Sequence, residues 1–211
     1  MILKDFTVGS LEVRAYLVGC PDSGEAFITD PAGSCAMLQK EAEKLGLEIK
    51  KIVNTHGHPD HTCGNAEMKK ITGAPVIMHR DDDEFFQRPE VVATFAAWGF
   101  QTAPPADTHF AHGDTLTVGN LEFSIIHTPG HSPGSVCIFG NGIVITGDTL
   151  FIDGIGRTDL PGGSHEVLMQ SLRERVMPLP DETKVLPGHH YGPSPVATIG
   201  EQKRTNPYLA F

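Results

Sequence analysis

"NTHGHPDHTCGN", residues 54–65, sets His56, His58, Asp60 and His61 within six consecutive positions, directly after the apolar run "IKKIVN". A transition metal is held where several lone pairs converge about 2.0–2.2 Å from one point, so imidazoles and a carboxylate crowded at a strand end are the pattern such a site needs. In an extended segment, residues two apart face the same way, so His56 and His58 point to one side. A turn into a helix at Pro59 re-aims Asp60 and His61. The segment therefore offers two imidazoles in one direction and a carboxylate plus an imidazole in another, which suits two adjacent ions better than one.

Further donors are expected from other strand ends. His131 in "HTPGHSPGS", Asp148 in "VITGDTLF" and His189 in "VLPGHHYG" each follow an apolar strand and stand beside glycine, where the backbone turns sharply and approaches closely. Sorting by geometry groups His56, His58 and His131 at one site and Asp60, His61 and His189 at the other. Asp148 is the natural bridge, because a carboxylate has two oxygens where an imidazole offers one lone pair. This donor set suits two divalent transition-metal ions, zinc first, with iron or manganese as alternatives. His79, His109, His112, His127, His165 and His190 are read as ordinary side chains. Motifs for a serine nucleophile elbow, an HExxH zinc helix, a P-loop or a dinucleotide fold are absent from the sequence.

A chain of 211 residues is the length of one large domain with its own core. A formal charge of −10 without a Lys/Arg block argues against nucleic acid as a partner. No run approaches the roughly 18 apolar residues of a membrane span, and the N-terminus lacks a secretory apolar region. Cys20, Cys35, Cys63 and Cys137 are widely spaced, as expected of reduced, mostly buried thiols in a cytoplasmic protein.

Alternating apolar runs predict strands at "LEVRAYLVG", "EAFITD", "IKKIVN" and "APVIMH", then at "DTLTVGN", "LEFSIIHTPG", "SVCIFGN", "GIVITGD" and "TKVLPG". Helical spacing predicts helices at "SCAMLQKEAEKLG", capped by Ser34, at "HTCGNAEMKKITG", at "SHEVLMQSLRERV", with a stripe of Val167, Leu168, Leu172 and Val176, and at "PVATIGEQKRTN". Residues 80–110, rich in aromatics, read as a helical excursion that either packs into the core or acts as a lid. Two similar halves of strands flanked by helices predict an α/β, four-layer αβ/βα sandwich over 1–211.

The motifs "THGHPDH", "HTPGHSPGS", "GDTLF", "GRTDLPGG" and "LPGHHYG" resemble the metallo-β-lactamase superfamily, in its glyoxalase II (hydroxyacylglutathione hydrolase) branch of the short bacterial type. The resemblance implies a binuclear site with the seven ligands already named. It also implies hydrolysis of a thioester such as S-D-lactoylglutathione by a metal-bridging hydroxide, with Asp60 and Asp148 as catalytic carboxylates. Full-length members of that branch carry a C-terminal helical segment with cationic contacts to glutathione, whereas this chain ends soon after His189, so weak glutathione affinity is expected. Arg157 in "GIGRTDL" either orients a ligand or buttresses its loop. The alternative is a mono-iron, persulfide dioxygenase-like oxidoreductase, a family that favours Cys where this chain has Ile155.

Overall fold

Every residue of the strand Val13–Gly19 is buried, which requires both faces of its sheet to be covered. In the computed structural model, which describes residues 1–192, 194 and 196–210, this strand is β2 of a six-stranded sheet. The sheet runs in chain order: β1 (Ile2–Val8), β2, β3 (Glu25–Thr29), β4 (Glu48–Val53), β5 (Val76–His79) and β6 (Thr108–Phe110). The first three strands pair antiparallel and the rest parallel. Parallel neighbours need crossovers. These are α1 (Cys35–Lys44), then α2 (Pro59–Thr62) with α3 (Asn65–Thr72), then α4 (Arg80–Phe86) with α5 (Pro89–Ala97).

The second half repeats the plan. Strands β7 (Thr115–Val118), β8 (Leu121–His127), β9 (Val136–Gly140) and β10 (Ile143–Gly147) form a meander. Its tight turn at Asn141 and Gly142, with φ 52° and 79°, has the left-handed pair that a two-residue hairpin demands. A small hairpin, β11 (Leu150–Phe151) with β12 (Gly154–Ile155), leads to α6 (His165–Ser171), which continues as a π-helical turn over Leu172–Val176. β13 (Lys184–Pro187) returns parallel to β10, and β14 (Ala197–Thr198) closes the second six-stranded sheet before α7 (Ile199–Thr205).

The period-2 alternation of the strands builds three apolar layers. Tyr16, Val18, Phe27 and Val53 of the first sheet meet Phe123, Ile125, Ile138 and Ile145 of the second. On the outer face of the first sheet, Leu17, Ile28 and Ile52 pack on Leu38, Ala42 and Met68 of α1 and α3. Outside the second, Val144 and Val185 pack on Leu168, Leu172, Val176 and Ile199. The result is helix–sheet–sheet–helix. Among the described residues, no helix is long and apolar enough to cross a membrane.

Several local expectations differ from the outcome. Ser34 does not cap α1: its φ of 53° is left-handed and its side chain makes no capping bond. The helix expected over "HTCGNAEMKKITG" is two, α2 and α3, parted at Cys63–Gly64. Residues 80–110 are not helical throughout, since β6 ends them as a strand beside β5. Residues 2–8, which the apolar alternation does not predict as a strand, pair along their length with β2. α7 starts from a capping box of Thr198 and Glu201, one turn later than expected.

Val167 leaves the predicted apolar stripe and is 37% exposed, whereas its neighbour Leu168 is fully buried. Leu168→Ala should therefore cost about 2–5 kcal/mol in denaturant unfolding, while Val167→Ala should change stability by less than about 0.5 kcal/mol.

Candidate metal centre

The loops that carry the candidate ligands follow the C-terminal ends of β4, β8, β10 and β13. After β4 the chain bends at Thr55 and His56, is extended again at His58 (φ −59°, ψ 140°), and Pro59 then starts α2 at the position where its missing N–H costs nothing. Asp60 and His61 consequently project from a helical turn, and His56 and His58 from the bent loop before it. Asp30, itself left-handed at φ 43°, fixes the bend at Thr55. It accepts hydrogen bonds from Thr55 N (2.8 Å) and Thr55 Oγ1 (2.6 Å). Its carboxylate also lies 3.3 Å from His61 Nδ1, an ion-pair distance.

All seven sequence-predicted donors gather in one place. His56, His58 and His131 form one group and Asp60, His61 and His189 another, each with its donor atoms within 4.8 Å of one another. His58 Nδ1 lies 2.9 Å from His131 Nε2, and His61 Nε2 lies 3.1 Å from His189 Nε2. Asp148 stands between the groups. Its Oδ1 is 3.4 Å from His61 Nε2, and its Oδ2 is 3.7 Å from His131 Nε2 and 3.6 Å from His189 Nε2. Two ligand atoms each about 2.1 Å from a shared ion sit roughly 3.0–3.4 Å apart, so these separations fit cations. Buried His56 Nε2 and Asp148 Oδ1 have no hydrogen-bond partner, the condition of donors whose natural partner is an ion. The residues fit a pair of metal ions held by these seven side chains. Next to β13, a Cβ on Gly188 would come 2.3 Å from Asp148 Oδ1, so only glycine lets the two loops pass.

A surrounding layer aims the ligands. His131 Nδ1 donates to the Arg157 carbonyl (2.8 Å), which leaves the Nε2 lone pair facing the site. His56 Nδ1 is 3.1 Å from Thr55 Oγ1. Asp82 on α4 is fully buried. It accepts from Gly57 N (2.7 Å), Ser132 Oγ (2.6 Å) and Gly134 N, tying the His56–His58 loop to the loop of His131. Burial pushes its carboxyl up to about 6 against the pull of those hydrogen bonds. Sequence reading missed Asp30 and Asp82, because nothing in "FITDPAG" or "HRDDDEF" marks one aspartate as facing a loop far away in the chain. Arg157, expected either to orient a ligand or to buttress its loop, contacts the site through its backbone carbonyl on His131. Its guanidinium instead clamps Asp159, with Nε–Oδ1 and Nη2–Oδ2 both 2.7 Å.

The titration of the cluster follows from burial and neighbours. Burial, then the adjacent imidazoles, hold His56 and His58 well below the ordinary histidine value, so both are neutral donors at pH 7. Burial opposes charge on His61, but Asp148, Asp60 and Asp30 outweigh it and push it up to about 10. Burial likewise opposes the Asp60 carboxylate, and His61, His189 and His58 outweigh it and hold Asp60 far below the usual carboxylate range. A proton on His61 thus does part of the work of a cation among the carboxylates.

The donors floor a cavity of about 290 Å³, walled by Phe95, Trp98 and Phe100 on one side and by Leu11, Leu160 and Tyr191 elsewhere. The other histidines lie apart from it. His79 and His127 stack at 4.0 Å and come within ion-holding distance of Asp81. Their nitrogens are engaged, however: His79 Nδ1 accepts from Asp81 N, and His127 Nε2 donates to the Pro133 carbonyl. Cys20, Cys35 and Cys137 are buried free thiols, and Cys63, on the surface beside α2, is exposed.

The sequence profile of the Metallo-beta-lactamase superfamily matches residues 8–189. "Hydroxyacylglutathione hydrolase GloC" of Haemophilus influenzae is 34% identical over 207 residues, covering 94% of this chain and 96% of its own length. Among solved structures, the BLEG-1 B3 metallo-beta-lactamase superposes with a TM-score of 0.89 at 34% identity, covering 100% of both chains. ETHE1 from Myxococcus xanthus superposes at 0.85 with 30% identity, covering 100% of this chain and 85% of its own.

Two outcomes test the centre. Elemental analysis should find about two transition-metal ions per chain, and Asp148→Asn should deplete both, because a neutral amide cannot bridge two cations. His61→Ala should deplete the group it shares with Asp60 and His189. Metal uptake should also release protons. His61, raised to about 10, keeps its proton at pH 8 in the metal-free protein and must lose it to become a ligand. Titration calorimetry in buffers of different ionisation enthalpy should show that release, reduced in His61→Ala, and affinity should fall as pH is lowered from 8 to 5.

Proposed function

Because this chain belongs to the metallo-β-lactamase superfamily, we propose that it is a metal-dependent hydrolase of thioesters, of which S-D-lactoylglutathione is the first to test. The observation that carries the reading is the floor of the cavity: two three-donor groups with Asp148 between them, beside a pocket that, among the described residues, is lined by no serine or cysteine. A floor of metal donors without a serine or cysteine among the described lining residues favours water as the nucleophile. The GloC relative supports the thioester as its target, and the free cysteines support a reducing, cytoplasmic setting.

Bound ions would supply hydroxide near neutral pH and polarise the substrate carbonyl, with zinc our expected metal and iron or manganese the alternatives. The chain's own residues do the rest. Asp60 is ionised, partly open to the cavity, and 3.6 Å from His189 Nε2, so it is placed to orient the attacking water. The Arg157 carbonyl keeps His131 in one tautomer throughout. Water adds its oxygen to the acyl carbon, a C–O bond forms, and the C–S bond breaks. The products are a carboxylate and a thiolate, and the thiolate takes up a proton or leaves without one. Thiolate departs readily, so a dedicated acid beside the sulfur is not required.

A second reading follows from the BLEG-1 neighbour, whose name makes it a β-lactamase: the same floor can direct water at a strained amide. One preparation of metal-loaded protein separates the readings. Thiol should appear from S-D-lactoylglutathione under anaerobic conditions, chelator should stop it, and the KM should be high. Oxygen uptake with glutathione persulfide in place of thiol release would make the protein a dioxygenase. Turnover of a chromogenic cephalosporin without thioester cleavage would make it a lactamase.

A further inference from the structure

The geometry points to a compact, uncharged, apolar acyl group, about the size of phenylacetyl, as the part of the substrate that this pocket grips. This rests on the thioesterase reading and adds the character of the substrate to it.

An aromatic wall climbs directly from the metal floor. Phe95 meets the ring of the ligand His58 edge-on at 5.6 Å, and Trp98 meets Phe95 edge-on at 5.3 Å. Phe86 packs behind, 5.6 Å from Phe95, so the wall is backed by buried side chains rather than free to swing. Phe95 is buried at the floor end, while Trp98 at the outer end is 52% exposed. A half-exposed indole facing a cavity leaves apolar surface that a ligand can cover. The deep, closed end of this wall suits the terminal acyl group. The thiol carrier is then left to the side of Tyr191, which stacks on the ligand His189 at 5.0 Å and is 70% exposed.

Charge and size point the same way. Among the described residues, the one cationic side chain lining the cavity is Arg157, and both arms of its fork are spent on Asp159. A substrate carboxylate would have to displace Asp159 from this exposed pair to reach the fork. Glutathione brings two carboxylates, and the walls offer neither a free partner. The volume of about 290 Å³ beside the wall suits a small acyl group, and a second hollow adjoins it across Pro59, Asp60 and Phe100.

The test is a matrix of thioesters hydrolysed by metal-loaded protein, with phenylacetyl and acetyl groups each carried on N-acetylcysteamine, which is uncharged, and S-D-lactoylglutathione beside them. The kcat/KM for phenylacetyl should exceed that for acetyl by at least about tenfold, the scale on which apolar pockets discriminate, and should exceed that for S-D-lactoylglutathione. Trp98→Ala, at a half-exposed position, should collapse the phenylacetyl-to-acetyl ratio to within about threefold, with metal content measured as a check on the floor. Asp159→Asn frees the guanidinium and should raise kcat/KM for S-D-lactoylglutathione several-fold without a matching rise for the uncharged esters. An equal or better rate on S-D-lactoylglutathione than on the phenylacetyl ester, or a ratio untouched by Trp98→Ala, would overturn the inference while the thioesterase reading stands. Cleavage of none of the three would sink that reading itself.

Discussion

Asp82 is the constraint on which the rest of the centre depends. A carboxylate removed entirely from water costs several kcal/mol unless hydrogen bonds replace its hydration, and here two N–H groups and a hydroxyl do so. Those donors belong to Gly57, between His56 and His58, and to Ser132 and Gly134, just past His131. One buried side chain on α4 therefore sets the spacing of two loops that come from different sheets. The 2.9 Å approach of His58 to His131 follows from that spacing. Asp30 does the corresponding work on the other side, through Thr55 and His61.

Dense, local signals were legible in the sequence. Four donors within six positions can be read because strand and helix periodicity dictate their directions, and His131, Asp148 and His189 stand out because each interrupts an apolar strand beside glycine. The layered architecture is equally legible, since alternation in two successive halves leaves few ways to bury both sheets. Residues whose roles depend on distant partners were not legible. Asp82 sits in a run of three aspartates, and only the fold separates it from exposed Asp81. Val167 fits helical spacing as well as Leu168 does, yet a helix face narrower than the pattern leaves it in solvent. Strand β1, with Lys4 and Asp5 among its apolar residues, becomes a strand by pairing with β2 rather than by its own pattern.

The site combines a polar floor with apolar walls, and each constrains chemistry differently. The floor is general: imidazole and carboxylate donors around an open cavity serve any reaction in which water attacks a carbonyl, as the different names of the chain's relatives illustrate. The walls decide which carbonyl compounds reach it. Phe95 and Trp98 belong to the segment 80–110, whose α4 carries Asp82 and whose α5 faces the cavity. One segment thus builds the floor's support and one wall of the pocket, so changes in it reach reactivity and selectivity together.

The donors alternate between the halves of the chain in a way that bears on how the protein is made. His56 and His58 come from the first sheet's loops and need His131 from the second, while Asp60 and His61 need His189. Neither group can be completed by a nascent chain that has emerged only as far as β6. Closure of such long chain loops is slow and entropically costly before the two sheets meet. An ion held across them would act as a cross-link between the N- and C-terminal halves, restraining a separation that apolar contacts alone must otherwise resist. Metal availability during synthesis would then influence how long a newly made chain remains open to proteases, before any substrate is encountered.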